Sequence, residues 1–107
     1  MPRVLTIAGT DPTGGAGVQA DLKAFMAAGA YGMSVVTALV AQNTQGVRSV
    51  HTPPLEFLQA QLDAVLDDVT VDAVKIGMLG NADITASVEK FLDQLAPSTP
   101  VVLDPVM

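Results

Sequence analysis

The sequence has no cysteine and no tryptophan, one histidine, one tyrosine and three phenylalanines. Without cysteine, these residues can form neither disulfides nor thiolate metal sites, which suits a reducing compartment. His51 has no second histidine with which to share a metal, and it reads as a surface residue. Cationic side chains are also scarce: the five are Arg3, Lys23, Arg48, Lys75 and Lys90, against eleven acids, for a net charge of -6. No basic patch is there to neutralise a run of phosphates, which argues against a nucleic-acid partner. An acidic surface argues equally against an anionic membrane. No apolar run approaches the roughly 18 residues of a membrane helix. The apolar run Val4–Ala8 is shorter than the roughly 7–15 residues of a signal-peptide core, so a cytoplasmic protein is expected.

What is present is aliphatic. Half of the 107 residues are hydrophobic and 15% are charged. One small domain with a core of Val, Leu, Ile, Ala and Met is therefore expected. Val4–Ala8 reads as a strand that empties into Gly9-Thr10-Asp11-Pro12-Thr13-Gly14-Gly15-Ala16-Gly17. A helical stripe of Val18, Leu22, Phe25 and Met26 comes next. Ser34–Val40 is nearly continuous in apolar residues and predicts one central strand, with a polar exit at Gln42 and Asn43. Val47–Val50 reads as a short extra strand or an extended loop. Thr52 is placed as N-cap and Pro53 as first residue of a helix whose stripe is Leu55, Leu58, Leu62, Val65, Leu66 and Val69. Ala73–Ile76 is the next strand. Asn81 caps a helix with the stripe Ile84, Val88, Phe91, Leu92 and Leu95. Val101–Leu103 is the last strand. No repeat and no low-complexity segment interrupts the pattern.

The order β-α-β-α-β-α-β implies an α/β fold, a mainly parallel sheet flanked by helices. The final apolar strand needs cover that no later helix in these residues supplies. A part of a longer α/β protein is expected on that ground, the alternative being an edge covered by a partner chain.

In such sheets ligands bind beyond the carboxyl ends of the strands. Each predicted exit carries residues suited to a site: Gly9 and Asp11, Gln42 and Asn43, Gly77 and Met78, and Asp104. Taken singly they are ordinary turn residues; their joint occurrence predicts one shared crevice. Two phosphate motifs fail. Gly9 and Gly14 have P-loop spacing, but Gly15-Ala16 stands where Lys-Ser/Thr is required. Gly15-Ala16-Gly17-Val18-Gln19-Ala20 has dinucleotide-fold spacing, yet six residues separate it from the strand end at Ala8 and no acid follows the second strand.

Gln42 offers a donor and an acceptor, which matches the ring nitrogens and amino group of a pyrimidine or pyridine; otherwise it is a turn residue. Asp104 suits a Mg²⁺ or phosphoryl-transfer site, or is a loop Asp before proline. Met78 suits the wall of a flat ring, or the core. Asp21 faces either the crevice or solvent. Lys75, inside a buried-type strand, needs an acidic partner or a route to water.

The stretch Ile7-Ala8-Gly9-Thr10-Asp11-Pro12-Thr13-Gly14-Gly15-Ala16-Gly17-Val18-Gln19-Ala20-Asp21-Leu22-Lys23 resembles the N-terminal signature of the hydroxymethylpyrimidine/phosphomethylpyrimidine kinases of thiamine biosynthesis. Thr37–Thr44, Lys75–Leu79 and Val102–Met107 resemble three further blocks of that family, in order. The resemblance implies a ribokinase-like fold and the MgATP-dependent phosphorylation of 4-amino-5-hydroxymethyl-2-methylpyrimidine and then of its monophosphate. By the same resemblance Gln42 hydrogen-bonds the pyrimidine, and Gly9, Ala16, Asp21, Val40, Met78 and Val106 line the substrate pocket. Asp104 then lies near metal and phosphates, with ATP and Mg²⁺ as cofactors and a homodimer as the assembly. Family members are more than twice as long. The resemblance therefore makes residues 1–107 the N-terminal, substrate-binding part of one ribokinase-like domain. The C-terminal ATP-binding part, with the anion hole and catalytic base, is absent from them, so transfer by these residues unaided is not expected. Two alternatives stand beside it: a pyridoxal or pyridoxine kinase of the same superfamily, and a non-catalytic pyrimidine-binding module.

Overall fold

A computed structural model describes residues 1–77 and 79–104. Four parallel strands form the main sheet: β1 (Arg3–Ala8), β2 (Tyr31–Val36), β5 (Ala73–Ile76) and β6 (Val101–Leu103), in the order β2-β1-β5-β6. Between them run α1 (Gly17–Ala27), α2 (Leu55–Asp68) and α3 (Ala82–Asp93). The parallel α/β architecture matches the alternation read from the sequence. A separate antiparallel pair, β3 (Leu39–Asn43) and β4 (Gly46–His51), stands outside that sheet.

Strand register sorts the two faces. Leu5 lies beside Met33 and Val74, and Ile7 beside Val35 and Ile76. That face is packed by Leu58 and Leu62 of α2 and by Ile84, Val88 and Phe91 of α3, all in one buried cluster. The opposite face carries Thr6, Gly32 and Lys75 and receives α1. A Cβ at Gly32 would stand 2.9 Å from Leu22 and 3.3 Å from Phe25, so glycine there lets α1 lie close on the strand. Of the expected α1 stripe, Val18 is buried, whereas Met26 is 80% exposed and points away from the sheet.

Two expectations about boundaries need correction. Ser34–Val40 is not one central strand. β2 stops at Val36, and Leu39 and Val40 open the hairpin. The reason lies in the glycine loop: the Thr10 N–H donates to the Ala38 carbonyl (3.0 Å) and the Val40 N–H donates to the Thr10 hydroxyl (2.9 Å). Ala38 and Val40 thus find partners in the loop rather than in the sheet. Gln42 accordingly sits within β3, not in a turn at a sheet exit. Thr52 is not an N-cap either. Pro54 takes that position with extended backbone (φ -54°, ψ 147°) and no capping side chain, and α2 begins one residue later. Asn81 does cap α3, its side-chain oxygen accepting from the Ile84 N–H at 2.9 Å.

Candidate functional site

The carboxyl ends of β1 and β5, the start of α1, Asp104 after β6 and Gln42 of the hairpin enclose one cavity of about 440 Å³. That volume lies within the roughly 300–1,000 Å³ of small-molecule sites.

The glycine loop forms one wall. Its geometry is set by Asp11, which is only 4% exposed. One oxygen of that carboxylate accepts from both the Thr13 N–H (2.9 Å) and the Thr13 hydroxyl (2.8 Å). The Gly14 N–H closes the turn on the Asp11 carbonyl at 2.9 Å, and the Asp11 N–H donates to the Gln19 side chain at 2.8 Å. The Thr13 hydroxyl holds the Asp11 carboxyl below its ordinary value of 3.8. Burial opposes this, and the N–H groups of Thr13 and Ala16 and the Gln42 side-chain amide assist it.

Gly17 joins the loop to α1. It has φ +62°, and a Cβ there would stand 2.5 Å from the Gly9 carbonyl oxygen, so only glycine fits. The Val18 N–H donates to that same carbonyl at 2.9 Å. Several N–H groups of the loop and helix start are thus paired within the protein.

Charged groups form the floor. The Lys75 ammonium is 3.0 Å from each oxygen of Asp21 and 3.4 Å from an oxygen of Asp104. The Thr6 hydroxyl donates to Asp21 at 2.6 Å. The Lys75 and Asp21 side chains are only 20% and 15% exposed. Lys75 thereby has the acidic partner that its buried strand position demanded, and Asp21 faces the cavity rather than bulk solvent. Gly77 keeps the floor open: a Cβ there would be 2.8 Å from the Ala8 Cβ and 3.6 Å from the Lys75 nitrogen.

Of the residues proposed from sequence, Gly9, Ala16, Asp21, Gln42 and Asp104 all line this cavity. Val40 does not. It lines a neighbouring groove with Thr10, Pro12 and His51, and its side chain comes within 3.8 Å of where a Gly9 Cβ would be. Met78 and Val106 lie outside the described residues. Sequence reasoning misses Thr10, Gly17 and Lys75 as cavity residues; Asp11 and Gly77, placed at strand exits on a shared crevice, do line it. The role of Asp11 is detectable, because Asp-Pro-Thr is the pattern of an Asx turn that folds a side chain onto its own loop. Among the described residues, no group of three or more His, Cys, Asp or Glu is placed to hold a metal.

The chain is similar to several known proteins. The thiamine biosynthesis multifunctional protein ThiED of Corynebacterium efficiens is 69% identical over 107 residues, which are the whole of this chain and 14% of that protein. The hydroxymethylpyrimidine/phosphomethylpyrimidine kinase of Escherichia coli is 59% identical over 96% of this chain and 38% of its own length. The crystal structure of the Clostridium difficile phosphomethylpyrimidine kinase superposes with a TM-score of 0.93 at 47% identity, covering all of this chain and 46% of that one. The Staphylococcus aureus pyridoxal kinase with AMP-PCP and pyridoxal gives 0.88 at 37% identity, over all of this chain and 40% of that one. The chain thus spans less than half the length of these relatives. Its sheet and flanking helices have the ribokinase-like architecture. The phosphomethylpyrimidine kinase family model matches residues 11–107, from the Asp11 turn through Asp104, and the chain is a member of that family.

Proposed function

We propose that this chain supplies the pyrimidine cradle of an ATP-dependent kinase that phosphorylates 4-amino-5-hydroxymethyl-2-methylpyrimidine and then its monophosphate. The observation that carries the reading is convergence: Gly9 and Ala16 of the glycine loop, Asp21 of α1, Gln42 of β3 and Asp104 after β6 come from four segments and line one cavity. The cavity's character supports a neutral, hydrogen-bonding ring over a phosphate. The N–H groups of Thr10, Asp11, Thr13 and Gly14 are already paired within the protein, and three carboxylates (Asp11, Asp21 and Asp104) line the space with the ammonium of Lys75. Gln42 lines the same cavity, and its amide carries both a carbonyl and N–H groups suited to a ring nitrogen and an amino group.

Asp104 lines the cavity with a 64% exposed side chain, and in this reading it is the residue that approaches metal and phosphates. One carboxylate fits Mg²⁺, which draws its other ligands from phosphate and water. The cation would neutralise phosphoryl charge. Residues 1–107 are read as the substrate-binding part of one domain, with the ATP-binding part, the anion hole and the catalytic base supplied from outside them. The exposed apolar edge at Val102 (59%) and Leu103 (69%) supports that division. The reading makes the enzyme cytoplasmic, as the composition suggests, and homodimeric, as the family resemblance implies.

Pyridoxal kinases of the same fold are the second reading, supported by a TM-score of 0.88 but at 37% identity, below the pyrimidine kinases. Calorimetric titration of the chain with the aminopyrimidine alcohol and with pyridoxal separates the two. Gln42→Ala is expected to weaken aminopyrimidine binding by about 1–3 kcal/mol, the cost of an unpaired buried partner. Unchanged affinity overturns the assignment of Gln42, and preference for pyridoxal overturns the substrate.

A further inference from the structure

Gln61 lies on α2, between Leu58 and Leu62, whose side chains are buried in the core. Its own side chain does something other than pack. Its amide oxygen accepts from the Val36 N–H at 2.9 Å, and its amide nitrogen donates to the Val36 carbonyl at 3.0 Å. Val36 is the last residue of β2, an edge strand of the sheet. Its peptide groups point away from β1, because the next N–H, that of Thr37, donates back to the Ala8 carbonyl at 2.9 Å. Gln61 thus offers the edge the donor–acceptor pair that a further strand's peptide would offer.

Val36 is also the last sheet residue before the hairpin. Two residues past Thr37 the chain becomes β3, whose first contacts are with Thr10: Thr10 N–H to Ala38 carbonyl, and Val40 N–H to Thr10 hydroxyl. The hairpin then carries a register shift between Ala41 and Gln42, where Ala41 pairs with Ser49 and Gln42 with Val47, leaving Arg48 as the extra residue. Bulges of this kind re-aim side chains. Gln42 stands opposite this bulge, and it lines the cavity. Few connections tie this hairpin to the body of the protein, and Gln61 fixes the residue from which it departs.

We infer that Gln61 is a positioning residue: by clamping Val36 it sets where the chain leaves the parallel sheet, and so where the hairpin presents Gln42 to the ligand. The inference rests on Gln42 being the ring-facing amide, but its first test needs no ligand. Gln61→Met keeps length and helix propensity while removing both hydrogen bonds. Amide hydrogen exchange on the chain is expected to speed up about tenfold or more at Thr10 and Val40, an order set by one or two lost hydrogen bonds. Val74 and Gly77, whose N–H groups bond within the sheet at 3.0 and 2.9 Å, serve as references and should hold. Gln61→Glu keeps an acceptor for the Val36 N–H and loses the donor, and should fall between. Affinity for the aminopyrimidine alcohol should drop about tenfold in Gln61→Met, as expected for a loosened Gln42. Exchange unchanged at Thr10 and Val40, or raised equally at Val74 and Gly77, overturns the inference and leaves Gln61 a general stabiliser. A wild-type chain that binds no aminopyrimidine refutes the cradle reading instead, while the exchange pattern still decides the role of Gln61.

Discussion

Replacing Lys75 by methionine removes the cation from the cavity floor and strands a carboxylate. Asp21 would keep only the Thr6 hydroxyl at 2.6 Å, with its side chain 15% exposed. Removing one partner of a fully buried pair costs roughly 3–5 kcal/mol, mostly the penalty of the charge left behind. This pair is about one-fifth open to the cavity, and the hydroxyl remains, so a loss of about 2–3 kcal/mol is expected. The contact with Asp104 adds little, since that side chain is 64% exposed and exposed pairs contribute about 0–1 kcal/mol. Urea unfolding followed by circular dichroism reads the effect directly. With a slope of about 1–1.5 kcal/mol per molar, the midpoint should fall by roughly 1.3–3 M at unchanged slope. The decisive variant is the double, Lys75→Met with Asp21→Asn. The amide retains the Thr6 contact and carries no charge, so most of the loss should return, leaving the double variant within about 1 kcal/mol of the parent. A single-variant loss below about 0.5 kcal/mol, or a double variant weaker than either single one, refutes the premise that the pair compensates a buried charge.

Gly77→Ala should cost about 1–3 kcal/mol by overpacking, because its Cβ would meet the Ala8 Cβ at 2.8 Å; a thermal melt detects the loss, and aminopyrimidine affinity should fall with it. Asp11 ties stability to pH. Its folded value lies below the ordinary 3.8, so its contribution is complete above that pH and is lost as pH falls through the lower folded value. Thr13→Val removes the largest cause, so carbon NMR should place the Asp11 titration nearer 3.8, and stability should depend less steeply on pH in the acid range.

Periodicity was enough to read the elements that bury a face. Leu58 and Leu62, and Ile84, Val88 and Phe91, recur at helical spacing because one side of each helix meets the sheet, and all five are buried. The Asn81 cap was equally legible, because a cap is satisfied within four residues of its own helix. The glycine loop between β1 and α1 announced a site by composition, and Gly9, Gln42 and Asp104 do share one cavity.

Long-range pairing decided the rest, because it depends on partners that no local window contains. Ser34–Val40 carries the same apolar character throughout, yet Gln61 and Thr10 divide it into a sheet strand and a hairpin strand. Lys75 looked like a charge in need of a partner. That the partner is Asp21, 54 positions away, follows only from α1 lying across β1 and β5. Val40 shows the reverse: family likeness placed it in the pocket, and the hairpin turns it to the adjoining groove. Local periodicity records which side of an element is dry; which distant polar groups meet there is settled by the packing of whole elements, and at this site those meetings make the chemistry.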